Sequence, residues 1–370
     1  MDYSLLVFVP GLFIWIVILL LPWRPWSTRE SLDSQSELRL DLSDVTVLIP
    51  ARNEALNITQ TLSALKDQGN NLNVVIVDDQ STDNTIPLAE SAKLDNLLII
   101  KGSELLEGWS GKLWALEQGR QYVKTSYLLL LDADILLQPG LVSTLLKNAQ
   151  QNSLQMISLM AHLKMQFFWE KLLMPAFIFF FKLLYPFHLS NNPRYPIAAA
   201  AGGCILLEKN TIDELGGFAC IKDALIDDCS LAKKIKQKGF NTWIGLTHSA
   251  ISIRNYKTLS SIWKMVARTA YTQLAYSPFL LLICTILMLF AFVLPLLALL
   301  QMGNVIVVLG LVTILLQTIC YLPTLQYYSM SPIYAICLPL IGILYLIMTW
   351  TSAINYYFGR GASWKGRHYQ

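Results

Sequence analysis

Hydrophobic positions in this chain fall into two uncharged blocks that flank a long segment of mixed polarity. Residues 3–22 carry no charged side chain, and residues 278–359 carry none either. A transmembrane helix needs about 20 consecutive, mostly apolar residues. The first block therefore predicts an N-terminal transmembrane anchor within residues 1–26. A cleaved signal peptide is disfavoured because no basic stretch precedes the apolar run and no small-residue cleavage site follows it.

The second block is long enough for several membrane helices. Polar breaks at 301–304 and 326–332 divide residues 278–358 into candidate transmembrane helices. We predict these spans at about 278–300, 304–325 and 333–356. The spans hold no ionisable residue, which argues against a transporter that binds or relays ions.

Basic residues flank the apolar blocks and predict the orientation of the chain. Arg24 and Arg29 follow the first block. Three more lie in a basic tail at 359–370: Arg360, Lys365 and Arg367. The positive-inside rule assigns both groups to the cytoplasm, so we predict a multi-pass protein of the inner (plasma) membrane with a cytoplasmic domain. Three spans would leave the tail on the opposite side, so either one segment is re-entrant or the tail breaks the rule.

Between the blocks, from residue 44 to 250, short apolar runs alternate with segments of helical periodicity. Four of these runs predict strands, at 45–50, 74–77, 97–100 and 127–131. Fully apolar strands alternating with helices are typical of a parallel sheet covered on both faces. We therefore predict an α/β domain with a Rossmann-like, mostly parallel sheet, joined to the anchor by a polar linker at 27–43.

Capping residues predict where helices of this domain begin. Asn53 is expected to cap the helix after the first strand, and Ser81 or Thr82 to start the helix after the second. The helix that contains KLWAL is expected to end near Lys124.

Two aromatic segments are too interrupted or too polar to span a bilayer. The first, an insertion at about 163–190, is broken by Lys171, Pro175 and Lys182. We predict a pair of interfacial helices there, with a buried core helix of the domain as the alternative. The second segment, within 251–277, leads directly into the first C-terminal span and is predicted to form another interfacial helix.

Composition narrows the possible functions. Apolar residues make up 54% of the chain and charged residues 14%, and a net charge of +3 is too small and dispersed to indicate nucleic-acid binding. The six cysteines show no paired or metal-ligand spacing, which predicts free thiols in a reducing compartment. The four histidines share no spacing either, and we predict structural roles for them: His162, His188, His248 and His368.

Three acidic clusters follow predicted strands or begin a predicted helix: Asp78-Asp79, Asp132-Ala133-Asp134 and Asp227-Asp228. The carboxyl ends of parallel strands meet at one edge of a sheet, where ligands bind. Carboxylates gathered there repel one another unless cations lie among them. A divalent metal together with a phosphate-bearing substrate would resolve the repulsion. The pattern therefore predicts a membrane-tethered enzyme that acts on a nucleotide diphosphate.

Each cluster has a chemical and a purely structural interpretation. Alternate residues of an extended segment point the same way, so Asp132 and Asp134 can face one Mg²⁺ or Mn²⁺ ion. Asp79 can bind a base or ribose, or belong to a simple turn. Asp227 and Asp228 can supply a general base, or only begin a helix.

Small and cationic residues complete the predicted site. The AAAAGGC run at 198–204, with Gly202 and Gly203, removes side-chain bulk where a sugar or an acceptor would approach. Lys112 and Arg268 are the cations predicted to contact phosphate, with solvated helix charges as the alternative.

Several motifs, in order, resemble inverting family 2 glycosyltransferases of GT-A fold over residues 45–240. They are IPARNE, VDDQSTDNT, GKLWAL, LLDADI, AGGC and IDDCSLAKKI. Over nearly the whole chain, SGKLWAL, the aromatic insertion, AAAAGGC and IWKMVARTAYTQLAYSP are similar to hopene-associated glycosyltransferases of HpnB type. The resemblance implies a cytoplasmic GT-A catalytic domain at 44–250 and a metal-dependent, hexosyltransferase-like activity. It also implies a nucleotide-sugar donor and a lipid acceptor.

The resemblance further implies roles for residues at matching positions. Four residues match positions that bind the nucleotide: Pro50, Ala51, Glu54 and Asp79. Asp132 and Asp134 match the DxD motif, with Asp134 the stronger candidate for metal ligand and Asp132 nearer the sugar nucleotide. Asp228 matches the general base, and Asp227 stands where the family usually has glutamate.

One motif of related enzymes is altered in this chain. Processive polysaccharide synthases carry Gln-x-x-Arg-Trp, whereas this chain has MVARTAYTQL, in which Arg268 is kept without a following tryptophan. The resemblance therefore implies transfer of a sugar, first of all from a UDP-sugar, to the hydroxyl of a membrane lipid such as a hopanoid. Two alternatives stay open: a processive polysaccharide synthase, and a non-catalytic membrane scaffold that retains the fold.

Overall fold

The computed structural model describes residues 5–37, 40–301 and 304–359, with the backbone of two short strands at 363–364 and 367–368. The side chains of the predicted basic tail lie outside the described residues, as does a small part of the polar linker. Within the described part, one mixed sheet and a bundle of apolar helices pack against each other through a shared hydrophobic core.

A mixed sheet carries the polar domain. Its strands are β1 (Val45–Ala51), β2 (Asn73–Asp78), β3 (Leu97–Lys101), β4 (Tyr127–Leu131), β5 (Ile135–Leu137), β6 (Met156–His162), β7 (Cys204–Glu208) and β8 (Thr242–Ser252). Their order across the sheet is β3-β2-β1-β4-β7-β6-β8-β5. β3, β2, β1 and β4 run parallel, which confirms the predicted Rossmann-like half. The other half is mixed, because β7 is antiparallel to β4 and β6, and β5 is antiparallel to β8.

Helices cover both faces of the sheet, and a second set forms the apolar bundle. The helices are α1 (Leu5–Leu20), α2 (Ile58–Lys66), α3 (Thr85–Ser91), α4 (Gly111–Arg120), α5 (Leu141–Asn152), α6 (Phe168–Leu184), α7 (Phe187–Ser190), α8 (Lys209–Glu214), α9 (Asp227–Gln237), α10 (Leu259–Gln273), α11 (Pro278–Met288), α12 (Leu294–Ala298), α13 (Asn304–Tyr327) and α14 (Leu338–Tyr357). Along β1, Val47 and Ile49 belong to a core shared with α2 and α5, whereas Leu48 belongs to a core shared with α4 and α9. Successive strand residues point to opposite faces, so one uninterrupted apolar strand serves both cores. The predicted α/β fold is confirmed.

The loops after β1 and β2 are hydrogen-bonded to each other. For this reason, the predicted starts of two helices are wrong. Asn53 does not cap α2: it has a φ of 52°, and its side-chain oxygen accepts a hydrogen bond from Thr82 N at 2.8 Å. Ser81 does not start α3, because its hydroxyl accepts a hydrogen bond from Asn53 N at 3.0 Å. Both helices begin several residues later than predicted.

Three apolar helical segments are long enough to cross a membrane: Pro278–Ala298, Asn304–Tyr327 and Pro332–Tyr357. They coincide within a few residues with the predicted spans. The first combines α11, a π-helical turn at Leu289–Val293 and α12. The third begins with a 3₁₀ turn at Pro332–Cys337 that continues into α14. By length and composition, the C-terminal block therefore matches the predicted multi-pass arrangement.

The N-terminal helix packs within the same bundle. α1 has 16 residues and is shorter than the three candidate spans. Trp15 on α1 is fully buried, and its indole Nε1 donates a hydrogen bond to Ala291 O at 3.1 Å. Its ring stacks on that of Phe179, with the centroids 6.4 Å apart. α1 therefore contributes to the bundle core, and its role as a membrane anchor stays a prediction.

The aromatic insertion forms one long helix, so the predicted helix pair is wrong. α6 continues through Pro175 as a single helix of 17 residues, and only the four-residue α7 follows it. A proline removes one helical hydrogen bond, but α6 is held from outside by α10, α13 and α14. Lys182 on α6 is buried and donates a hydrogen bond to Ser27 O, and burial lowers its pKa to about 8. α6 is thus a core helix of the bundle that also fixes the start of the linker.

Candidate active site

The three acidic clusters lie at one edge of the sheet, and two of them share a side-chain cation. Asp132 follows β4, and its Oδ1 lies 2.7 Å from Lys112 Nζ. The same ammonium group lies 3.9 Å from Asp227 Oδ2. Burial opposes the charge of Lys112, but Asp132 and Asp227 outweigh it and raise the pKa of the lysine. Lys112 is therefore a permanent positive charge between the end of β4 and the start of α9.

Most of the residues that were predicted to surround the reacting groups line a single crevice. It is lined by Pro50, Lys112, Asp132, Gly202, Asp227 and Asp228, over a floor of apolar side chains. These residues come from β1, α4, the loops after β4 and before β7, and α9. Segments far apart in sequence thus meet at the carboxyl ends of β1 and β4, as the strand pattern predicts.

Asp228 has the protonation behaviour that a general base needs. Burial, followed by the charge of neighbouring Asp227, raises the pKa of Asp228 to about 7. Three interactions act in the opposite direction: the hydrogen bond that Cys229 N donates to Asp228 Oδ1 at 2.8 Å, the charge of Lys112, and a hydrogen bond from the backbone of Gly202. A carboxyl group with a pKa near neutrality can take up a proton and release it again at physiological pH.

Of the two glycines in the small-residue run, Gly202 lies against these charged groups and Gly203 bonds the backbone of Asp132. A Cβ atom at Gly202 would lie 3.2 Å from Lys112 Nζ and 3.4 Å from Asp228 Oδ2. Gly203 O accepts a hydrogen bond from Asp132 N at 3.1 Å, which fixes the end of β4. A side chain at Gly202 would have to push aside the ammonium or the carboxylate. The glycine therefore keeps both groups accessible from the crevice.

Asp134 is held by a cation that sequence patterns do not identify. Its carboxylate is 5% exposed, and Oδ2 lies 2.7 Å from Arg254 Nε. Arg254 Nη2 lies 3.8 Å from Glu54 Oε1, so one guanidinium serves two carboxylates. Burial, with the charges of Asp132 and Glu54, raises the pKa of Asp134 in spite of Arg254. Arg254 follows the end of β8, and a basic residue just past a strand end is the only signal that could have identified it.

The residues predicted to bind a nucleotide cluster at the ends of β1 and β2. Asp79 is 2% exposed, and its N donates a hydrogen bond to Ala51 O at 2.8 Å. Arg52, which sequence reasoning also missed, donates from Nη1 to Asp79 O at 2.5 Å and lies 3.8 Å from Asp79 Oδ2. Glu54 is buried and accepts a hydrogen bond at Oε2 from Asn57 Nδ2 at 2.9 Å. The shared guanidinium of Arg254 connects this group to Asp134.

Arg268 takes part in none of these ion pairs. It is exposed on α10, and within residues 5–37, 40–301 and 304–359 no ion pair joins it to an acidic residue of the crevice. The cations found beside the acidic residues are Lys112 and Arg254. The phosphate contact predicted for Arg268 stays a prediction.

The carboxylates fit a divalent ion only if a substrate completes its coordination. In the described part of the chain, no group of three or more His, Cys, Asp or Glu side chains could hold a metal by itself. Mg²⁺ is commonly bound by one or two carboxylates together with substrate phosphates. Asp132 and Asp134 would be the oxygen ligands of such an ion. Burial is the main cause of the raised pKa of Asp134, and the charges of Asp132 and Glu54 add to it, so an additional cation beside this carboxylate would favour its ionised form.

Two of the histidines meet, which their spacing does not predict. His162 on β6 and His248 on β8 approach through their Nδ1 atoms at 3.3 Å. The ring of His248 stacks on Tyr327, at the end of α13, with centroids 4.2 Å apart. Burial, followed by the charge of His248, lowers the pKa of His162. The pair links the sheet to the bundle, which agrees with a structural role, and the six cysteines are free thiols as expected.

Replacing Arg254 with methionine is expected to lower the thermal stability of the protein. The change leaves Asp134 and Glu54 without their shared cation. Loss of one partner of a fully buried pair costs about 3–5 kcal/mol. Arg254 is 38% exposed, so we expect about 1–2 kcal/mol at pH 8. The measurement is thermal unfolding in detergent, with exposed Arg194→Met as the matched control.

The pH dependence of the Arg254→Met defect follows from the raised pKa of Asp134. The ion pair stabilises the fold only while Asp134 is ionised. As pH falls through the pKa of Asp134, which lies above its ordinary value of 3.8, protonation removes the charge that Arg254 neutralises. The stability difference between wild type and variant is therefore expected to be largest at pH 8 and smaller at pH 5. A difference that is constant across this range would contradict the assigned ion pair.

Known proteins share this fold. The fold and the crevice together define a GT-A-type α/β domain joined to apolar helices. Residues 46–216 match the sequence profile of the family described as Glycosyl transferase family 2. The chain therefore contains a family 2 glycosyltransferase domain, although the match covers less than half of its length.

Similarity to individual proteins is more limited. A 4,4'-diaponeurosporenoate glycosyltransferase from Staphylococcus haemolyticus is 31% identical over 93 residues, 25% of this chain and 24% of the relative. Its counterpart from Staphylococcus aureus is 30% identical over 114 residues, 30% of each chain. The matched region thus spans less than a third of these relatives. The solved mannosyltransferase PcManGT from Pyrobaculum calidifontis, in complex with GDP-Man and Mn²⁺, has a TM-score of 0.58 at 17% identity. The similarity covers 96% of this chain and 97% of that chain and establishes a shared fold.

Proposed function

We propose that this protein is a membrane-bound inverting glycosyltransferase. It moves a sugar from a nucleotide diphosphate sugar, with a UDP-sugar as the first candidate, to a hydroxyl group of a membrane lipid. The observation that carries the proposal is the position of Asp228. This carboxyl group has a pKa of about 7 and shares a crevice with Lys112 and the DxD residue Asp132.

The chain's own residues account for a single-displacement reaction. Asp228 accepts the proton of the acceptor hydroxyl as its oxygen attacks the anomeric carbon of the donor sugar. The new C–O bond forms as the bond from that carbon to the diphosphate breaks, and the nucleoside diphosphate leaves with the electron pair. Lys112 stabilises the negative charge that grows on the diphosphate. Attack from the side opposite the leaving group inverts the anomeric centre.

A divalent ion, Mg²⁺ or Mn²⁺, would be held by Asp134 and Asp132. When bound, such an ion acts as a Lewis acid and offsets charge on the departing diphosphate. The mannosyltransferase of similar fold was solved with Mn²⁺ and GDP-Man, which supports divalent metal use in this fold. Arg254 orients Asp134 for this role through the ion pair at 2.7 Å.

The staphylococcal relatives suggest a second acceptor class, because they are named for a carboxylate, diaponeurosporenoate. An acceptor carboxylate has no proton to lose and would make Asp228 unnecessary as a base. It would also approach Asp227 and Asp228 with the same charge, which costs free energy in a half-buried site. An alcohol avoids both problems. We therefore favour a lipid hydroxyl, and the resemblance described above makes a hopanoid or another polycyclic isoprenoid the first acceptor to test.

Membrane association of the proposed enzyme is supported by the bundle. Its three candidate spans pack with α1, α6 and α10 on the side of the sheet that carries β6 and β8. A catalytic domain fixed this way can take a lipid acceptor from the bilayer without transferring it through water. In our proposal the domain faces the cytoplasm of a cell whose inner membrane holds the spans.

Two other functions are less well supported by the site. A processive polysaccharide synthase would use a similar donor site, but Arg268 lacks the tryptophan that follows it in those enzymes. A non-catalytic scaffold would have no need for a half-buried carboxyl group with a pKa near 7 or for an ammonium group between acidic clusters. Charges arranged at such a cost in stability are typical of catalytic sites.

The deciding experiment is a transfer assay with the full-length protein in lipid nanodiscs. The protein is incubated with a panel of UDP- and GDP-sugars, Mn²⁺, and hopanoid or other isoprenoid alcohols, and products are identified by mass spectrometry. We expect a glycolipid that carries one sugar, and no product after chelation of the metal. Long sugar polymers would favour the synthase, and consumption of no donor with any acceptor would favour the scaffold.

A further inference from the structure

Charge is distributed unevenly along this chain. All 25 aspartate and glutamate residues precede Cys229, and from there onward the sequence has lysines and arginines but no acidic residue. The segment that leads from β8 to the first candidate span, residues 253–277, belongs to this second part. Its charged residues are Arg254, Lys257, Lys264 and Arg268. A segment with charges of one sign attracts partners of the opposite sign.

The loops that follow β6 and β8 lie at the same edge of the sheet as the candidate active site. β6 and β8 run parallel, and β4 has the same direction because β7 is antiparallel to both β4 and β6. The loop after β8 lies beside Asp134, whose O accepts a hydrogen bond from Ile253 N at 2.9 Å. Buried Glu170 joins the two loops, because Oε1 accepts a hydrogen bond from Tyr256 N at 2.6 Å and Oε2 accepts one from Phe167 N at 3.1 Å.

Aromatic and basic side chains are exposed where these two loops meet. Phe168 is 60% exposed and Phe167 is 38% exposed. Lys257 is also exposed, and its Nζ lies over the ring of Phe167, 5.4 Å from the centroid. Lys264 is exposed in the second turn of α10, whereas the opposite face of that helix packs against α14. These four residues form what we call the basic–aromatic surface.

Exposed aromatic side chains also lie where α10 leads into the first candidate span. α10 ends at Gln273, and α11 begins at Pro278. Tyr276, between the two helices, is 37% exposed, and Phe279 is 68% exposed. Basic residues directly before a span attract the anionic headgroups of a leaflet, and aromatic side chains are enriched at the level of the headgroups. A site for a free anion in water would need neither the exposed rings nor the span.

We propose that the basic–aromatic surface binds the headgroups of anionic phospholipids in the leaflet next to the sheet domain. Lys257 and Lys264 pair with the phosphate groups, and the rings of Phe167 and Phe168 lie among the headgroups. The inference rests on the membrane association in the proposed function and is independent of sugar transfer. Lys257 belongs to the same loop as Arg254, so bound lipid holds the active-site edge of the sheet near the bilayer.

The test measures lipid binding to the full-length protein in detergent micelles by native mass spectrometry. The protein is titrated with a phosphatidylglycerol, and with the phosphatidylcholine of the same acyl chains as the zwitterionic counterpart. We expect the wild type to bind the anionic lipid about 10-fold more tightly. Each lysine near a leaflet contributes about 5-fold, so Lys257→Gln/Lys264→Gln is expected to bind phosphatidylglycerol about 10- to 30-fold more weakly. Its affinity for phosphatidylcholine should equal that of the wild type.

Control variants separate this surface from a general effect of charge or folding. Lys93→Gln/Lys124→Gln changes two exposed lysines of the sheet domain and should leave both lipid affinities unchanged. Lys257→Arg/Lys264→Arg keeps the charges and should bind phosphatidylglycerol as the wild type does. All variants should melt at the wild-type temperature, because the four lysines are exposed.

Three results would overturn the assignment. The first is equal binding of the two lipids by the wild type, and the second is undiminished phosphatidylglycerol binding by Lys257→Gln/Lys264→Gln. The third is displacement of the lipid by an equal concentration of inorganic phosphate, which would indicate a site for free anions. Failure of the proposed function itself would appear separately, as the lack of any sugar transfer by the wild-type protein.

Discussion

Asp228→Asn is expected to lower turnover by about 10²- to 10⁴-fold while nucleotide binding is kept. Asparagine has nearly the shape of aspartate but cannot take the proton of an acceptor hydroxyl. Lys112, Asp132 and the nucleotide-end residues keep their contacts, so the donor should bind as before. The measurement is kcat for sugar transfer together with UDP affinity by calorimetry. In the wild type, the rate should rise with pH and reach half its maximum near the pKa of Asp228, about 7.

The same substitution should make the protein more stable at alkaline pH. The pKa of folded Asp228, about 7, lies above the ordinary value of 3.8. A raised pKa means that the wild-type fold loses stability as pH rises through this interval, because the carboxylate must ionise where it is poorly solvated. Asparagine does not titrate, so the variant escapes this loss. We expect a higher melting temperature than wild type at pH 8 and a smaller difference at pH 5.

Loss of activity with gain of stability separates a catalytic carboxylate from a structural one. Asp223→Asn, an exposed substitution in the loop before α9, is the control and should change neither quantity. If Asp228→Asn instead loses stability and nucleotide binding in proportion to turnover, the side chain supports the fold and another group must act as the base.

The acidic residues of this site could be predicted because their positions follow from where the strands end. Asp132 and Asp134 directly follow the apolar strand β4, and Asp79 follows β2. Parallel strands must deliver such residues to the same sheet edge whatever the side chains around them do. Runs of apolar residues were likewise enough to predict the parallel half of the sheet and the three C-terminal spans.

The positions of the cations at the site depend on tertiary packing, which the local sequence pattern does not encode. Arg254 reaches Asp134 because β8 pairs with β5, which Asp134 directly precedes, in the mixed half of the sheet. Its neighbours in sequence give no sign of this. Arg268 has the stronger resemblance to a known motif, but it forms no ion pair with the acidic residues of the crevice among the described residues. Long basic side chains on different elements can reach the same acidic residue. Spacing along the chain is therefore a poor guide to which cation pairs with which acid.

The aromatic insertion illustrates the same limit for the fold. Lys171, Pro175 and Lys182 interrupt the apolar run, and local rules therefore predict two short helices. The structure has one helix, because Trp15 of α1 and the spans cover it on several sides and Lys182 finds a carbonyl partner in Ser27. A buried lysine of this kind becomes explicable only when its partner is known.

Lys112→Met is expected to reduce turnover by about 10²- to 10³-fold, as removal of one charge-stabilising donor does in other enzymes. The ammonium group lies 2.7 Å from Asp132 and 3.9 Å from Asp227, so its loss leaves the acidic clusters facing each other without compensation. In the proposed reaction, the leaving diphosphate would also lose a positive charge that stabilises it. UDP affinity should therefore fall together with kcat, in contrast to Asp228→Asn.

The pH profile of Lys112→Met gives the more specific result. Lys112 is one of the groups that lower the pKa of Asp228, so the substitution should raise that pKa above its wild-type value of about 7. Because the ionised form is the active base, the rising limb of the rate profile should move to higher pH. Lys112→Arg keeps the positive charge but not the geometry of the ammonium. It should bring the rising limb of the rate profile back toward its wild-type pH more fully than it restores the maximal rate. Lys124→Met, an exposed lysine after α4, should leave both unchanged. A Lys112→Met enzyme whose limb stays near pH 7 would mean that Lys112 does not act on Asp228, and that the base is controlled by burial and Asp227 alone.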